Sequence, residues 1–206
     1  MSWTVKSLVL PMVLLCVWRL QEGAQACKCV AVHPQTAFCQ ADVVIKAKVL
    51  AKKYISAHEV KYDIALKKIF KGPHKYFDCI YTPSSSAACG LALTRGVEYL
   101  FTGNLASDGS LHVIVCNLVS PWDRLSACQK ANLGGSYQKG CECQITHTHA
   151  IPNRVSPDEC LWTDFLTHSG NREQARHYAC LKNRDGFCAW VKSPAYGFYP
   201  GFHAYG

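Results

Sequence analysis

Twelve cysteines between Cys27 and the end of the chain constrain this 206-residue protein more than any other feature. A thirteenth, Cys16, lies in a segment that reads as a secretory leader. Lys6 precedes an apolar run from Leu8 to Val17, and Ala24-Gln25-Ala26 supplies a small-x-small cleavage pattern. The apolar run is short for a bilayer span, and no later stretch reaches its length, so no membrane span is expected. Cleavage after Ala26 would leave Cys27, Cys29, Cys39, Cys79, Cys89, Cys116, Cys128, Cys141, Cys143, Cys160, Cys180 and Cys188. An even number of cysteines in an oxidising compartment predicts six disulfides and no free thiol. No C-x-x-C pair occurs, which argues against a zinc-binding cysteine cluster.

The formal net charge of +8 falls by one when Lys6, Arg19 and Glu22 leave with the leader. A basic secreted protein could adhere to sulfated matrix glycans, or the charge could serve solubility alone; composition leaves both open. No basic run is long enough to indicate nucleic acid as a partner.

Residues 43–118 read as β-rich. Val43, Ile45, Ala47 and Val49 alternate with Val44, Lys46 and Lys48, the pattern of a half-buried strand. Val60, Tyr62, Ile64 and Leu66 repeat it, and Phe77 to Tyr81 makes a short third strand. Val97 to Leu105 and Leu111 to Leu118 flank a hairpin signal centred on Asp108-Gly109. Short helices are expected from Pro34 to Ala41 and from Ser120-Pro121-Trp122-Asp123 onward, the latter with Leu125, Cys128 and Ala131 at helical spacing. The fold class is therefore mainly β with peripheral helices. Five antiparallel strands suit a closed barrel of the OB type, with a β-sandwich as the alternative. Beyond Gly140-Cys141-Glu142-Cys143 the alternation fades. A boundary there divides the chain into a leader (1–26), a barrel domain (27–141) and a small disulfide-stabilised domain (142–206) with a flexible tail. Ser156-Pro157-Asp158-Glu159 looks like a capped helix start in that last unit.

The chemistry concentrates at the new N-terminus. In an extended segment Cys27 and Cys29 point one way and Lys28 the other. Two disulfides to the body would bolt the segment flat and leave the α-amine and carbonyl of Cys27 on an exposed ridge. An α-amine has a pKa near ~7.7–8.0, so a useful fraction is neutral at extracellular pH. A neutral amine is a good zinc ligand, and the carbonyl oxygen of the same residue closes a five-membered chelate. Such a chelate could displace the water that a catalytic zinc keeps. Because the terminus is already fixed, binding would cost little ordering entropy.

The segment Cys27-Lys28-Cys29-Val30-Ala31-Val32-His33-Pro34-Gln35-Thr36-Ala37-Phe38-Cys39 resembles the start of the tissue inhibitors of metalloproteinases. The resemblance continues through Val43-Val44-Ile45-Lys46-Ala47-Lys48, Phe70-Lys71-Gly72, Cys116-Asn117, Pro121-Trp122-Asp123, Gly140-Cys141-Glu142-Cys143, Asp158-Glu159-Cys160-Leu161-Trp162 and Cys188-Ala189-Trp190. It implies an OB-like, netrin-like inhibitory domain followed by a smaller one. It implies a secreted monomer that inhibits matrix metalloproteinases one to one, with disintegrin-type enzymes left open as further targets. By that resemblance Cys27 chelates the protease zinc and Lys28 points into the neighbouring pocket. Cys29, Val30 and Ala31 lie along the primed side of the cleft, Ser86, Ala87 and Ala88 form a second contact segment, and Gln40 touches the rim. The zinc belongs to the target; the chain has no cofactor of its own. The resemblance also implies the pairs Cys27–Cys89, Cys29–Cys116, Cys39–Cys141, Cys143–Cys188 and Cys160–Cys180, a connectivity that spacing alone does not give. The alternative function is a netrin-like extracellular-matrix or receptor-binding module without strong inhibition.

Four departures from the family pattern stand out. Lys28 replaces a small hydroxyl residue and must desolvate its ammonium or reach past the pocket, which implies a narrower target range. Ala31 replaces a frequent proline. Thr148 and Asn153 stand where a staple of the second domain is expected. Cys79 and Cys128 match no family bridge and are expected to pair with each other. Elsewhere, His147 and His149 lack further metal ligands, His33 before Pro34 reads as a turn-ordering residue, and no G-x-S-x-G nucleophile motif occurs, so an enzyme is not expected.

Overall fold

The computed structural model describes residues 27–148, 156–164, 166 and 172–193. The expected leader, His149, Asn153 and the tail beyond Ser193 lie outside them. The alternation read from the sequence produces two long strands, β1 (Val43–Tyr54) and β2 (Glu59–Lys71). Three shorter strands follow: β3 (Cys79–Pro83), β4 (Glu98–Leu105) and β5 (Leu111–His112). They run in the order β1-β2-β3-β5-β4, and β4 pairs back onto β1, so the sheet closes into a five-stranded barrel. β3 and β5 meet in parallel at Tyr81 and His112; the other pairings are antiparallel. Register irregularities at Val44/Ile45, Lys46/Ala47 and Val49/Ala51 mark where β1 and β2 shift against each other, as bends of a strand pair do.

The barrel is filled by every second residue of its strands. Val43, Ile45, Ala47 and Val49 of β1 meet Val60, Tyr62 and Ile64 of β2, with Ile80, Tyr99, Phe101, Leu111 and Val113. Val44, one step out of phase, points to the other face. There it packs with Phe38, Leu100, Leu125, Leu133, Tyr137 and Ala179 in a second core layer. That layer joins the barrel to helix α1 (Pro34–Gln40), helix α2 (Ala127–Asn132), helix α3 (Ser136–Lys139) and strand β9 (Tyr178–Lys182). The boundary at 141 falls inside a short 3-10 turn, Gly140–Glu142, and the core continues across it.

Past this turn lie a parallel strand pair and an antiparallel hairpin. The pair is β7 (Gln144–His147) with β8 (Glu159–Trp162), and the hairpin is β9 with β10 (Cys188–Lys192). Helix α4 (Glu173–His177) packs beside them. Five disulfides tie the molecule: Cys27–Cys89, Cys29–Cys116, Cys39–Cys141, Cys143–Cys188 and Cys160–Cys180. The first three close loops of 62, 87 and 102 residues. In the chain-entropy picture, loops of that size stabilise the fold by roughly 4 kcal/mol each. No helix among the described residues is long and apolar enough to cross a membrane.

Four expectations are corrected. Cys79 and Cys128 do not pair; both are free thiols. Cys79 lies on β3 opposite Asp63, whereas Cys128 is buried on α2 with its sulfur 3.3 Å from the Ser193 carbonyl, so each already packs in separate surroundings. Leu111 to Leu118 is not one strand. After β5, the Val113 N–H donates to Tyr81 O and the Val115 N–H to Cys89 O, and Asn117 Oδ1 then accepts the Ile114 N–H at 2.8 Å. The chain turns there, and only Val119–Pro121 returns to β4 as a sixth strand, β6. The helix expected at Ser120 begins later. Trp122–Arg124 is a 3-10 turn, Leu125 is extended, and Ser126 starts α2 through a capping box with Gln129. Ser156-Pro157-Asp158 opens a strand rather than a helix, because Cys160 and Trp162 alternate into the core with period two.

Candidate functional site

The segment from Cys27 to Val32 has no regular secondary structure and lies on the surface. Its anchors are covalent. Cys27 is bonded to Cys89, two residues on Cys29 is bonded to Cys116, and the two bridges touch, with Cys27 Sγ 3.6 Å from Cys116 Sγ and 3.9 Å from Cys29 Sγ. Cys27 is half-buried at this sulfur cluster, while Lys28 through Ala31 are exposed to solvent, Val30 at 84 % exposure.

The far end of the first bridge carries the second segment. Ser86–Ala88 forms a single exposed 3-10 turn, capped by Ser85, whose hydroxyl and carbonyl both accept the Ala88 N–H at 3.2 Å. The turn is stopped by Cys89 in the left-handed region, at φ 65°. Gly90 follows because nothing larger fits: a Cβ there would lie 2.0 Å from the Pro83 carbonyl oxygen and 2.8 Å from that of Ser85. The Gly90 N–H donates to Ser85 O at 2.9 Å, closing the loop on itself. A tight, internally bonded loop therefore holds Ser86, Ala87 and Ala88 beside Cys27.

Gln40, exposed at the end of α1, lines a small hollow with Val32, Ala37, Thr102, Asn104, Cys116 and Asn117. It thus sits near the second bridge. Lys71 fixes this end of α1. Its ammonium donates to the Phe38 and Cys39 carbonyls at 3.1 and 2.6 Å, and desolvation holds its pKa below the ordinary lysine value. The structure thus brings Cys27, Lys28, Cys29, Val30 and Ala31 together with Ser86, Ala87 and Ala88 on one surface, with Gln40 at its margin. Val115 was not singled out from the sequence. It is 48 % exposed and joins the ridge through its N–H bond to Cys89 O. Its place next to Cys116 was the available signal.

Behind the ridge the chain is pinned to the second part of the molecule. His33 caps α1 by accepting the Gln35 N–H on Nδ1 at 3.2 Å, so it does order the turn. Its ring is wedged against Trp162 and Trp190, at centroid distances of 5.4 and 5.1 Å. Burial lowers its pKa to about 4, which leaves it neutral and unsuited to act as a surface base. Gln35, also buried, bonds to Gly140 and Cys180. Ser110 Oγ lies 2.8 Å from His112 Nε2, but its hydroxyl donates to Asp108 Oδ1 at 2.6 Å, so the pair belongs to the hydrogen-bond network of the β4–β5 turn. His147 packs edge-on against Trp162, 5.6 Å away. The three-cysteine groupings at Cys27/Cys89/Cys116 and Cys143/Cys180/Cys188 consist of disulfide sulfurs, which are not thiolate metal ligands.

Comparison with known proteins gives a single family. A model of the tissue inhibitor of metalloproteinase family matches residues 25–190. A guinea pig (Cavia porcellus) protein named metalloproteinase inhibitor 2 is 45% identical over 208 residues, covering 95% of this chain and 94% of the relative. The human protein of that name is 43% identical over the same extent. The chicken (Gallus gallus) one is 45% identical over 186 residues, 84% of each chain.

Proposed function

The chain belongs to the tissue inhibitor of metalloproteinase family, a family of inhibitors rather than enzymes, and from that premise we propose how this member inhibits. It is secreted, loses residues 1–26, and places the freed α-amine and carbonyl of Cys27 on the catalytic zinc of a metalloproteinase. The observation that carries the reading is the pair of touching disulfides, Cys27–Cys89 and Cys29–Cys116. They fix an otherwise irregular, exposed segment beside the Ser86–Ala88 turn, so two short stretches present one rigid edge. A rigid edge of this kind can enter an active-site cleft without losing much conformational freedom.

In the complex the amine and carbonyl of Cys27 replace the zinc-bound water, which removes the nucleophile of peptide hydrolysis. Lys28 projects into the adjoining specificity pocket, Cys29, Val30 and Ala31 run along the primed side, and Ser86, Ala87 and Ala88 fill the unprimed side. The Cys27 carbonyl, tied through its own residue to Cys89, cannot swing into the geometry of a scissile bond that turns over. Inhibition is then stoichiometric and reversible.

Titration of a matrix metalloproteinase catalytic domain tests this. Protein beginning at Cys27 is compared with the same protein carrying one extra N-terminal alanine. Chelation requires tight inhibition by the first and none by the second. Equal inhibition by both would refute it, and absence of inhibition in both would favour a matrix or receptor-binding module.

A further inference from the structure

We propose that the arginine-lined cleft between the end of the ridge and α4 is a docking site for a carboxylate-bearing loop of the target metalloproteinase. The cleft has a volume of about 400 Å3. Arg124, Arg172 and Arg176 line it together with Val32, Leu125 and Trp162. Ala31, the last ridge residue, lines it as well, so the cleft continues the ridge without a break. The proposal rests on the ridge entering an active-site cleft, and it adds the chemistry that the target must carry beyond its primed subsites.

Two elements bring the arginines together. Arg124 ends the 3-10 turn Trp122–Arg124, and buried Leu125 fixes the chain directly after it. Arg172 precedes α4 and Arg176 lies on it, four residues apart and hence on one face. The Arg176 N–H donates to Arg172 O at 3.0 Å, and the Arg176 carbonyl accepts the Ser126 hydroxyl, which ties this helix to the start of α2. Arg172 holds a left-handed backbone, at φ 45°, a region that favours glycine. An arginine there, and two like charges one helical turn apart, both work against local stability. No ion pair offsets this. Among the described residues no carboxylate lies within ion-pair distance of the three guanidinium groups, and all three side chains are exposed. The nearby acids are engaged elsewhere. Asp164 accepts the Trp162 indole N–H and the N–H groups of Gln174 and Ala175, each at 2.9 Å. Glu173 lies 4.0 Å from His177. Asp123 stands exposed beside Arg124 and does not line the cleft.

The donor set selects the occupant. A guanidinium is a planar fork that takes a carboxylate through two parallel N–H bonds. The apolar wall of Val32, Leu125 and Trp162 suits an aliphatic or aromatic neighbour of that carboxylate. An acidic and apolar peptide segment meets both demands, whereas a bare inorganic anion would use the arginines alone. Position names the source. In the proposed complex Cys29, Val30 and Ala31 run along the primed side of the target, so the surface next in reach is the loop that borders its far primed subsites.

The test titrates protein beginning at Cys27 against two matrix metalloproteinase catalytic domains, one with an acidic and one with a basic loop at the end of the primed cleft. The variant Arg124→Gln/Arg172→Gly/Arg176→Gln, whose glycine suits the left-handed backbone, is compared with Lys139→Ala/Arg184→Ala/Lys192→Ala. The latter loses the same charge at exposed positions outside the cleft. The cleft variant should inhibit the acidic-loop enzyme roughly tenfold or more weakly, and its inhibition should depend less on salt than that of the wild type. It should inhibit the basic-loop enzyme more tightly, because like charges no longer face each other. The control should stay close to wild type on both enzymes. The proposal alone is overturned if the cleft variant matches the wild type on the acidic-loop enzyme, or if its inhibition changes equally on both enzymes. A wild type that sediments as a dimer, with a monomeric cleft variant, would assign the cleft to a second copy and overturn it too. Inhibition that survives one extra N-terminal alanine refutes chelation and leaves the cleft comparison readable, whereas a wild type that inhibits neither enzyme overturns both readings.

Discussion

The side-chain amide of Gln35 pairs with both backbone groups of Cys180, its Nε2 donating to the carbonyl at 2.8 Å and its Oε1 accepting the N–H at 2.8 Å. The same Nε2 also donates to Gly140 O at 2.8 Å. One residue of α1, eight positions after Cys27, thereby replaces a strand partner for β9. Gly140 must be glycine here, since a Cβ would lie 2.3 Å from Cys180 O and 2.4 Å from Gln35 Nε2.

Replacing Gln35 with leucine keeps the bulk and strips the buried Cys180 N–H and carbonyl of their side-chain partner, while Gly140 O keeps its bond from the Cys143 N–H. Each orphan costs about 1–3 kcal/mol, so a loss of roughly 3–5 kcal/mol is expected in denaturant unfolding with the disulfides intact. A loss under about 1 kcal/mol would mean that the clamp is dispensable.

His33 makes stability depend on pH. Its folded pKa of about 4 lies below the unfolded value of 6.5, because burial disfavours the imidazolium. Between those values the unfolded chain binds a proton that the folded chain does not. The stabilisation is therefore complete above pH 6.5 and declines as pH falls toward 4, by on the order of 3 kcal/mol. His33→Asn retains a capping acceptor and does not titrate. Unfolding free energies measured from pH 7.5 to 4 should fall less steeply for the variant. Parallel curves for the two proteins would assign the acid sensitivity to other groups.

Gly90→Ala tests the second segment. The added carbon collides with backbone rather than with a movable side chain, so the Ser85–Cys89 loop must shift. The barrel core does not include this loop. The expected outcome is a folded protein, by circular dichroism, whose inhibition constant rises by about tenfold or more; this corresponds to roughly 1.4 kcal/mol lost from binding. Unchanged inhibition would show that Ser86–Ala88 lies outside the contact.

Lys28 is exposed beside the ridge, and a specificity pocket that accepts it must solvate or pair its ammonium. Lys28→Thr should strengthen inhibition of proteases with shallow or wholly apolar pockets and change little for deep, water-filled ones. Inhibition constants across a protease panel read this directly. Identical constants everywhere would remove Lys28 as a determinant of target range.

What the sequence reveals follows the range of the interactions. β1 and β2 are legible because Val43, Ile45, Ala47 and Val49, then Val60, Tyr62 and Ile64, record in period two which side faces the barrel. β5 is not, because its course after His112 is set by partners far along the chain: Tyr81, Cys89 and, through the Cys116 bridge, Cys29. Ser156-Pro157-Asp158 carries a helix-start signal, yet the burial of Cys160 and Trp162 overrides it. Cysteine parity misleads about Cys79 and Cys128, since twelve cysteines are equally compatible with five bridges and two thiols. The ridge residues were legible through family resemblance. Gln35 was not, because its clamp joins groups far apart in sequence.

The coordination of the target's zinc tests the central proposal most directly. A crystal structure of the protein, trimmed to begin at Cys27, bound to a metalloproteinase catalytic domain would display that coordination. Chelation requires the Cys27 nitrogen about 2.0–2.1 Å from the metal, its carbonyl oxygen also bound, and no catalytic water. A zinc that retains its water, with Cys27 seated elsewhere on the enzyme, would contradict it.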